Sequence, residues 1–222
     1  VTIELVCFDM AGTTMLDDGL VLAAFRRTIA ELGVGGAEAE RAEAYVIDTM
    51  GQSKIEVFTA LFDERAGEAN EAFERHFVTA AAEFGAREVP GARHCAETLK
   101  TRGIGVALTT GFSPATREAL IDLLGWSDLF AMRVSPADAG RGRPAPDMVL
   151  VCALRARVSA MATVMVVGDT ASDMQAGRRA GVGTCVGVLT GTDDQARLAA
   201  SGADVVVASV ADLPRLDALA VD

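Results

Sequence analysis

Histidine occurs only twice in these 222 residues, at His76 and His94. No G-x-S-x-G motif is present, and neither histidine is placed to serve as a base, so an acyl-enzyme hydrolase lacks its parts. Cysteine is nearly as scarce. Cys7, Cys95, Cys152 and Cys185 are scattered with no CxxC pair, which reads as reduced, buried thiols rather than a disulfide framework. No apolar run reaches membrane-spanning length and no basic-then-apolar leader is visible, so the expected location is cytoplasmic, with no membrane partner. Basic residues are outnumbered 20 to 31, leaving a net charge of −11. That balance argues against nucleic acid and anionic lipid as partners. It leaves an anionic substrate open, because a metal or a few local cations can reverse the field inside a pocket. Repeats and low-complexity tracts are also missing.

Half of the residues are apolar and 23% are charged, a composition suited to one well-packed domain or a core with a smaller insert. Short β-branched runs recur at Ile3–Phe8, Ile104–Leu108, Thr163–Val167, Thr184–Leu189 and Asp204–Val207, with a weaker one at Phe130–Val134. Helical patterns lie between them, at Pro114–Leu124, Asp147–Arg155, Ser172–Ala180 and Asp193–Ala200. Strands alternating with helices predict an α/β, Rossmann-like three-layer core around a parallel sheet. From Asp17 to Gly85 the rhythm breaks, and only amphipathic helices are legible. Val21, Phe25, Ile29 and Leu32 share one helical face, and Phe73, Phe77 and Phe84 share another. The expected division is a core of residues 1–16 and 86–222 with an all-helical cap at 17–85, acting as a lid.

In open parallel sheets ligands collect at the carboxyl ends of the strands. The first strand ends at Asp9, followed by Gly12-Thr13-Thr14; the second ends at Thr109-Thr110-Gly111. VGDTASD supplies Asp169 and Asp173, and the loop GRGRPAP supplies Arg141 and Arg143. GVGTCVG at 181–187 echoes a dinucleotide loop but precedes a strand, and is set aside. Carboxylates converging without histidine suggest Mg²⁺, a hard cation that prefers oxygen ligands. The metal would grip a phosphoryl oxygen, and Asp9 could attack phosphorus to form an aspartyl-phosphate. Thr110, by hydroxyl and backbone N–H, would hold phosphoryl oxygens. Arg143, with Arg141 as competitor, would stabilise the developing charge. Thr13, Met50, Gly111 and Phe112 are candidate substrate contacts.

FDMAGTT, the TTG strand end, GRP and VGDTASDM, in that order, resemble the haloacid dehalogenase superfamily. The resemblance implies Asp9 as nucleophile, Asp9, Asp169 and the Ala11 carbonyl as metal ligands, and Asp173 as a ligand or its support. Two departures narrow it. Most phosphatases of this type keep an acid aspartate where Ala11 stands, and a lysine where Arg143 stands. Both departures resemble the phosphonatase-like (phosphonoacetaldehyde hydrolase-related) subfamily, whose leaving group is a carbon and whose cap lysine forms a Schiff base. MGQSKIEVF, residues 50–58, resembles the segment carrying that lysine, making Lys54 the candidate. Ser53 and Glu56 read as a capping box that would put Lys54 at the first helical position, where positive charge is disfavoured. The family's histidine three places on is Val57 here.

The implied substrate is a small phosphonate such as phosphonoacetaldehyde. The alternatives are a phosphomonoesterase for a small phosphorylated metabolite, with Lys54 gripping phosphate or merely on the surface, and a non-catalytic phosphate and Mg²⁺ sensor. Assembly as a monomer or homodimer is left open.

Overall fold

The structure, a computed structural model, describes residues 2–219. The chain enters through β1 (Leu5–Asp9) and then makes α1 (Leu20–Glu31), α2 (Gly36–Asp48), α3 (Lys54–Phe62) and α4 (Ala66–Phe84) before returning through α5 (Ala92–Thr101) to β2 (Gly105–Thr109). Strands and helices then alternate: α6 (Pro114–Leu124), β3 (Met132–Val134), α7 (Pro136–Ala139), α8 (Asp147–Ala156), β4 (Val164–Gly168), α9 (Ala171–Ala180), β5 (Thr184–Val188), α10 (Gln195–Ala200) and β6 (Val205–Val207). All the pairings are parallel, in the order β3-β2-β1-β4-β5-β6. The α/β, Rossmann-like reading is correct, the weak Phe130–Val134 strand included.

The sheet is covered on both faces, which is why its strands are continuously apolar. Side chains alternate between the two layers. Val6 and Phe8 face one, with Leu108, Met165 and Val167; Leu5 and Cys7 face the other, with Ala107, Val164 and Val166, against Met148, Val149 and Cys152 of α8. All four cysteines are free and buried, as expected. The order reverses at β1: the chain builds outward to β3 on one side and resumes with β4 on the other. That reversal opens a crevice above the carboxyl ends of β1, β2 and β4.

From α1 to α4 the secondary structure is helical throughout, as the pattern predicted, and it packs on its own aromatic nucleus. Phe58 lies 6.1 Å from Phe25 and 5.6 Å from Phe73, ring centre to ring centre. The two connections to the core run side by side, with Leu16 N–H donating to Arg87 O at 2.9 Å and Val89 N–H to Thr14 O at 2.8 Å.

Two expectations need correction. Phe84 does not share the burial of Phe73 and Phe77; it is 70% exposed. α4 has 19 residues and its partner α1 has 12, so α4 outruns it by roughly 10 Å at 1.5 Å per residue, and the stripe ends in solvent. The last helix starts at Gln195, not Asp193, because the Asp194 carboxylate caps it by accepting the Arg197 N–H at 2.8 Å.

Phe130 is fully buried, edge-on to both Phe8 and Trp126. Phe130→Ala is expected to cost about 3–5 kcal/mol of unfolding free energy, whereas Phe84→Ala should stay within about 0.5 kcal/mol. Urea titrations of the two variants check the contrast.

Candidate functional site

Asp9 is the last residue of the central strand and its carboxylate is buried. The turn behind it is wound tightly on one carbonyl: Met10 O accepts from the N–H groups of Thr14 at 2.9 Å and Met15 at 2.8 Å. Gly12 sits there with φ +87°, and a methyl group at that position would collide with the Asp169 carboxylate. Both the backbone and the space therefore require glycine.

Asp169 follows β4. It accepts from Thr13 Oγ1 at 2.7 Å and from the Thr192 N–H at 2.9 Å. Asp173 lies in the first turn of α9, where it accepts the Thr170 N–H at 3.1 Å in a capping box. Arg143 reaches between the acids, 2.6 Å from Asp9 Oδ1 with one guanidinium nitrogen and paired to Asp173 Oδ1 with another. Its Nε is buried and has no protein partner. Arg141, the competitor, is exposed and pairs with Asp147 at 2.9 Å.

Carboxylate oxygens of Asp9, Asp169 and Asp173 all lie within 4.8 Å of one another. Oxygen donors alone, crowded and dry, suit a hard divalent cation. Burial raises the pKa of Asp9 to about 6, the nearby Asp173 adds to the rise, and the Arg143 charge only partly opposes it. Burial, then the charges of Asp9 and Asp173, push Asp169 well above the usual carboxylate range. One arginine does not balance three acids, and the excess negative charge is what a cation would neutralise.

Lys54 comes from the other side. It opens α3 as expected, but the capping box does not form. Ser53 makes no side-chain cap bond, and Glu56 instead accepts the N–H of Gly142 at 3.3 Å. The helix start is held by the core: Lys54 N–H donates to Gly111 O at 3.2 Å. The Lys54 ammonium, only 9% exposed as a residue, stands 5.9 Å from the centre of the Phe112 ring. Burial lowers its pKa to about 8, Arg143 adds to the fall, and Asp17, Asp9 and Asp169 hold it from falling further. Phe112 itself is inserted among the cap aromatics, 4.5 Å from Phe77.

Asp9, Ala11, Lys54, Thr110, Arg143 and Asp169 meet around one cavity of about 30 Å³, which Met50, Gly111 and Phe112 also line. That space suits a water or two. Two expected members lie behind the wall: Thr13 bonds Asp169, and Asp173 is held by Thr170 and Arg143. Thr110 is in place, but its backbone N–H is already given to Val134 O at 3.1 Å, and only its hydroxyl remains for a ligand. Asp17, Gln52, Thr170 and Thr192 also line the cavity and were missed. Asp17, within Leu-Asp-Asp-Gly, looks in sequence like any turn residue.

The cap loop approaches to backbone contact. A methyl group on Gly111 would lie 2.5 Å from Gln52 O, one on Gly142 would strike Ser53, and one on Gly51 would strike Thr170.

With this geometry in view, the family is clear. The family model of the haloacid dehalogenase-like hydrolases matches residues 3–181, and the chain belongs to that family; it is an enzyme of the hydrolase class. Among curated relatives, a phosphonoacetaldehyde hydrolase of Bacillus cereus is 33% identical over 215 residues, covering 86% of this chain and 78% of the relative. A bifunctional riboflavin kinase/FMN phosphatase of Arabidopsis thaliana is 28% identical, covering 94% of this chain and 54% of the relative. Among solved structures, a hydrolase from Pseudomonas syringae superposes with TM-score 0.84 at 23% identity, covering 96% of each chain. A phosphonoacetaldehyde hydrolase-like protein from Oleispira antarctica gives 0.82 at 24%, covering 97% of this chain and 91% of that one. No helix among the described residues is long and apolar enough to cross a membrane.

Two measurements test the site. Gly111→Ala should unseat the 50–54 loop, raising amide exchange at Lys54 roughly tenfold; unchanged exchange would mean the loop yields without loss. Acylation of Lys54 should follow its neutral amine, rising with pH to half-maximum near 8.

Proposed function

We propose that the chain is a Mg²⁺-dependent phosphonatase-like hydrolase that cleaves the carbon–phosphorus bond of a small phosphonoaldehyde such as phosphonoacetaldehyde. The observation that carries this reading is the shared cavity. Lys54, whose pKa is lowered to about 8, and Asp9 line the same enclosed space, while the position two residues beyond Asp9 offers only the methyl group of Ala11. A lysine in that state is partly neutral at physiological pH and can condense with an aldehyde. A site without an acid beside its nucleophile suits a leaving group that does not depart as an alkoxide.

Residues 17–85 act as a lid in this reading, swinging on the paired connections around Leu16 and Arg87. Opening admits substrate, and closure expels water and brings Lys54 over the phosphorus. Asp9, Asp169, Asp173 and the Ala11 carbonyl would hold Mg²⁺, which neutralises the carboxylates and polarises a phosphoryl oxygen when bound.

Lys54 adds to the aldehyde carbon and water leaves, giving an iminium. An Asp9 oxygen then attacks phosphorus. The carbon–phosphorus bond breaks, and its electron pair enters the iminium to give an enamine, with the phosphoryl group left on Asp9. Arg143 orients Asp9 and offsets charge on the phosphoryl oxygens, and the Thr110 hydroxyl donates to one of them. Water hydrolyses the aspartyl-phosphate, while protonation and hydrolysis of the enamine release the aldehyde and restore Lys54. The sum is phosphonoacetaldehyde plus water giving acetaldehyde plus phosphate.

A second reading keeps Asp9 and makes Lys54 a phosphate grip in a phosphomonoesterase. Val57 favours it: where the subfamily places a histidine, this side chain is buried in the cap's apolar core, and no proton-transfer group stands there.

Phosphate release from phosphonoacetaldehyde with Mg²⁺ separates the two. The expected result is release by wild type, loss of at least about a thousandfold in Lys54→Arg and Asp9→Asn, and arrest by chelator that added Mg²⁺ reverses. Hydrolysis of phosphate esters through Asp9, with no action on the phosphonate, would establish the second reading.

A further inference from the structure

The cavity contains one ionisable side chain that neither the phosphoryl chemistry nor the lysine uses. Its charged lining residues, among those described, are Asp9, Asp17, Lys54, Arg143 and Asp169. Asp9 is paired to Arg143, and Asp169 is held by Thr13 and Thr192. Asp17 belongs to neither set. It enters from the connection between β1 and α1, and its Oδ1 accepts the Val21 N–H at 3.1 Å, which fixes the carboxylate beside the first turn of α1.

Two features give Asp17 a part to play. Imine formation needs a group that removes a proton from the lysine ammonium and another that protonates the departing hydroxyl, and position 57, one turn on from Lys54, supplies only a buried valine. Asp17 also stands where the closed cavity adjoins a wider recess of about 350 Å³, which it lines with Met50, Thr192, Leu16, Leu22 and Ile47. A carboxylate that lines both spaces can exchange protons with solvent.

We infer that Asp17 is the proton shuttle of the imine cycle on Lys54, an inference that rests on the phosphonoaldehyde reading. Asp17 as carboxylate takes a proton from the Lys54 ammonium. The neutral amine adds to the aldehyde carbon, the carbonyl electron pair moves to oxygen, and a proton passes from nitrogen to that oxygen to give the carbinolamine. Asp17, now a carboxylic acid, protonates the hydroxyl. The carbon–oxygen bond breaks as water leaves, and the nitrogen lone pair closes the iminium. Ammonium and aldehyde have become iminium and water, and Asp17 is a carboxylate again. Burial raises the Asp17 pKa from the usual aspartate value, with the Lys54 charge among the opposing influences; this direction suits a group that must hold the proton between the two steps.

The test is the rate of borohydride trapping on Lys54, read by peptide mass, with the Mg²⁺-loaded enzyme and phosphonoacetaldehyde. Asp17→Asn keeps an oxygen for the Val21 N–H and removes the titrating group, and it is expected to slow trapping by about a hundredfold. Asp17→Ala should be equally slow and should regain trapping when formate is added, which a purely structural role would not allow. If Asp17→Asn traps as fast as wild type, or if formate restores nothing to Asp17→Ala, the shuttle is wrong and the imine reading stands. If wild type itself gives no adduct on Lys54, the phosphonoaldehyde reading has failed and the shuttle falls with it.

Discussion

Everything in this molecule is arranged around three carboxylates held out of water with a single guanidinium between them. Asp9, Asp169 and Asp173 come from the ends of two adjacent strands and the helix that follows, and Arg143 spans two of them. Desolvating such a cluster is costly, and one cation offsets only part of the cost. The surrounding hydrogen bonds from Thr13, Thr170 and Thr192 hold the acids in place without neutralising them. The tight turn after Asp9, the bare Gly12 and the capping box of α9 make sense as supports for this cluster. The sheet order, reversing at β1, is what brings its members to one edge.

The same low-dielectric surroundings act in opposite directions on the two chemistries. Burial favours the neutral form of any ionisable group, so it lifts the acids of the cluster and lowers Lys54. A raised carboxylate calls for a cation, whereas a lowered lysine is partly neutral at physiological pH. One enclosure therefore prepares both halves of the site.

The contact between cap loop and core rests on missing side chains. Gly51, Gly111 and Gly142 let the cap loop approach the core at backbone distance, and the bonds across that seam are made to backbone groups: Lys54 N–H to Gly111 O, and Gly142 N–H to Glu56. Glu74 of the cap helix adds a further tie, accepting the Ser113 N–H at 2.9 Å at the start of α6. Phe112 carries the core into the cap's aromatic nucleus. The seam is specific because it is set by shape, with little room for adjustment.

The sequence alone determined the strand–helix alternation, because β-branched runs and 3.6-residue periodicity are local properties. It also determined that Asp9, Thr110 and Asp169 stand at strand ends, since a polar residue closing an apolar run can be seen without knowing its neighbours. It suggested a capping box at Ser53 and Glu56, and there the local rule lost to a bond across the seam. It favoured Arg143 over Arg141, two residues apart on one loop, but that Arg143 is buried between Asp9 and Asp173 while Arg141 stays exposed depends on how the loop is laid over the sheet. It gave no sign that Asp17 enters the cavity, that Thr13 turns behind it, or that the Thr110 N–H is already engaged. Those outcomes were decided by tertiary structure: contacts between residues distant in sequence, and the water they exclude, depend on the assembled fold and leave little trace in local pattern.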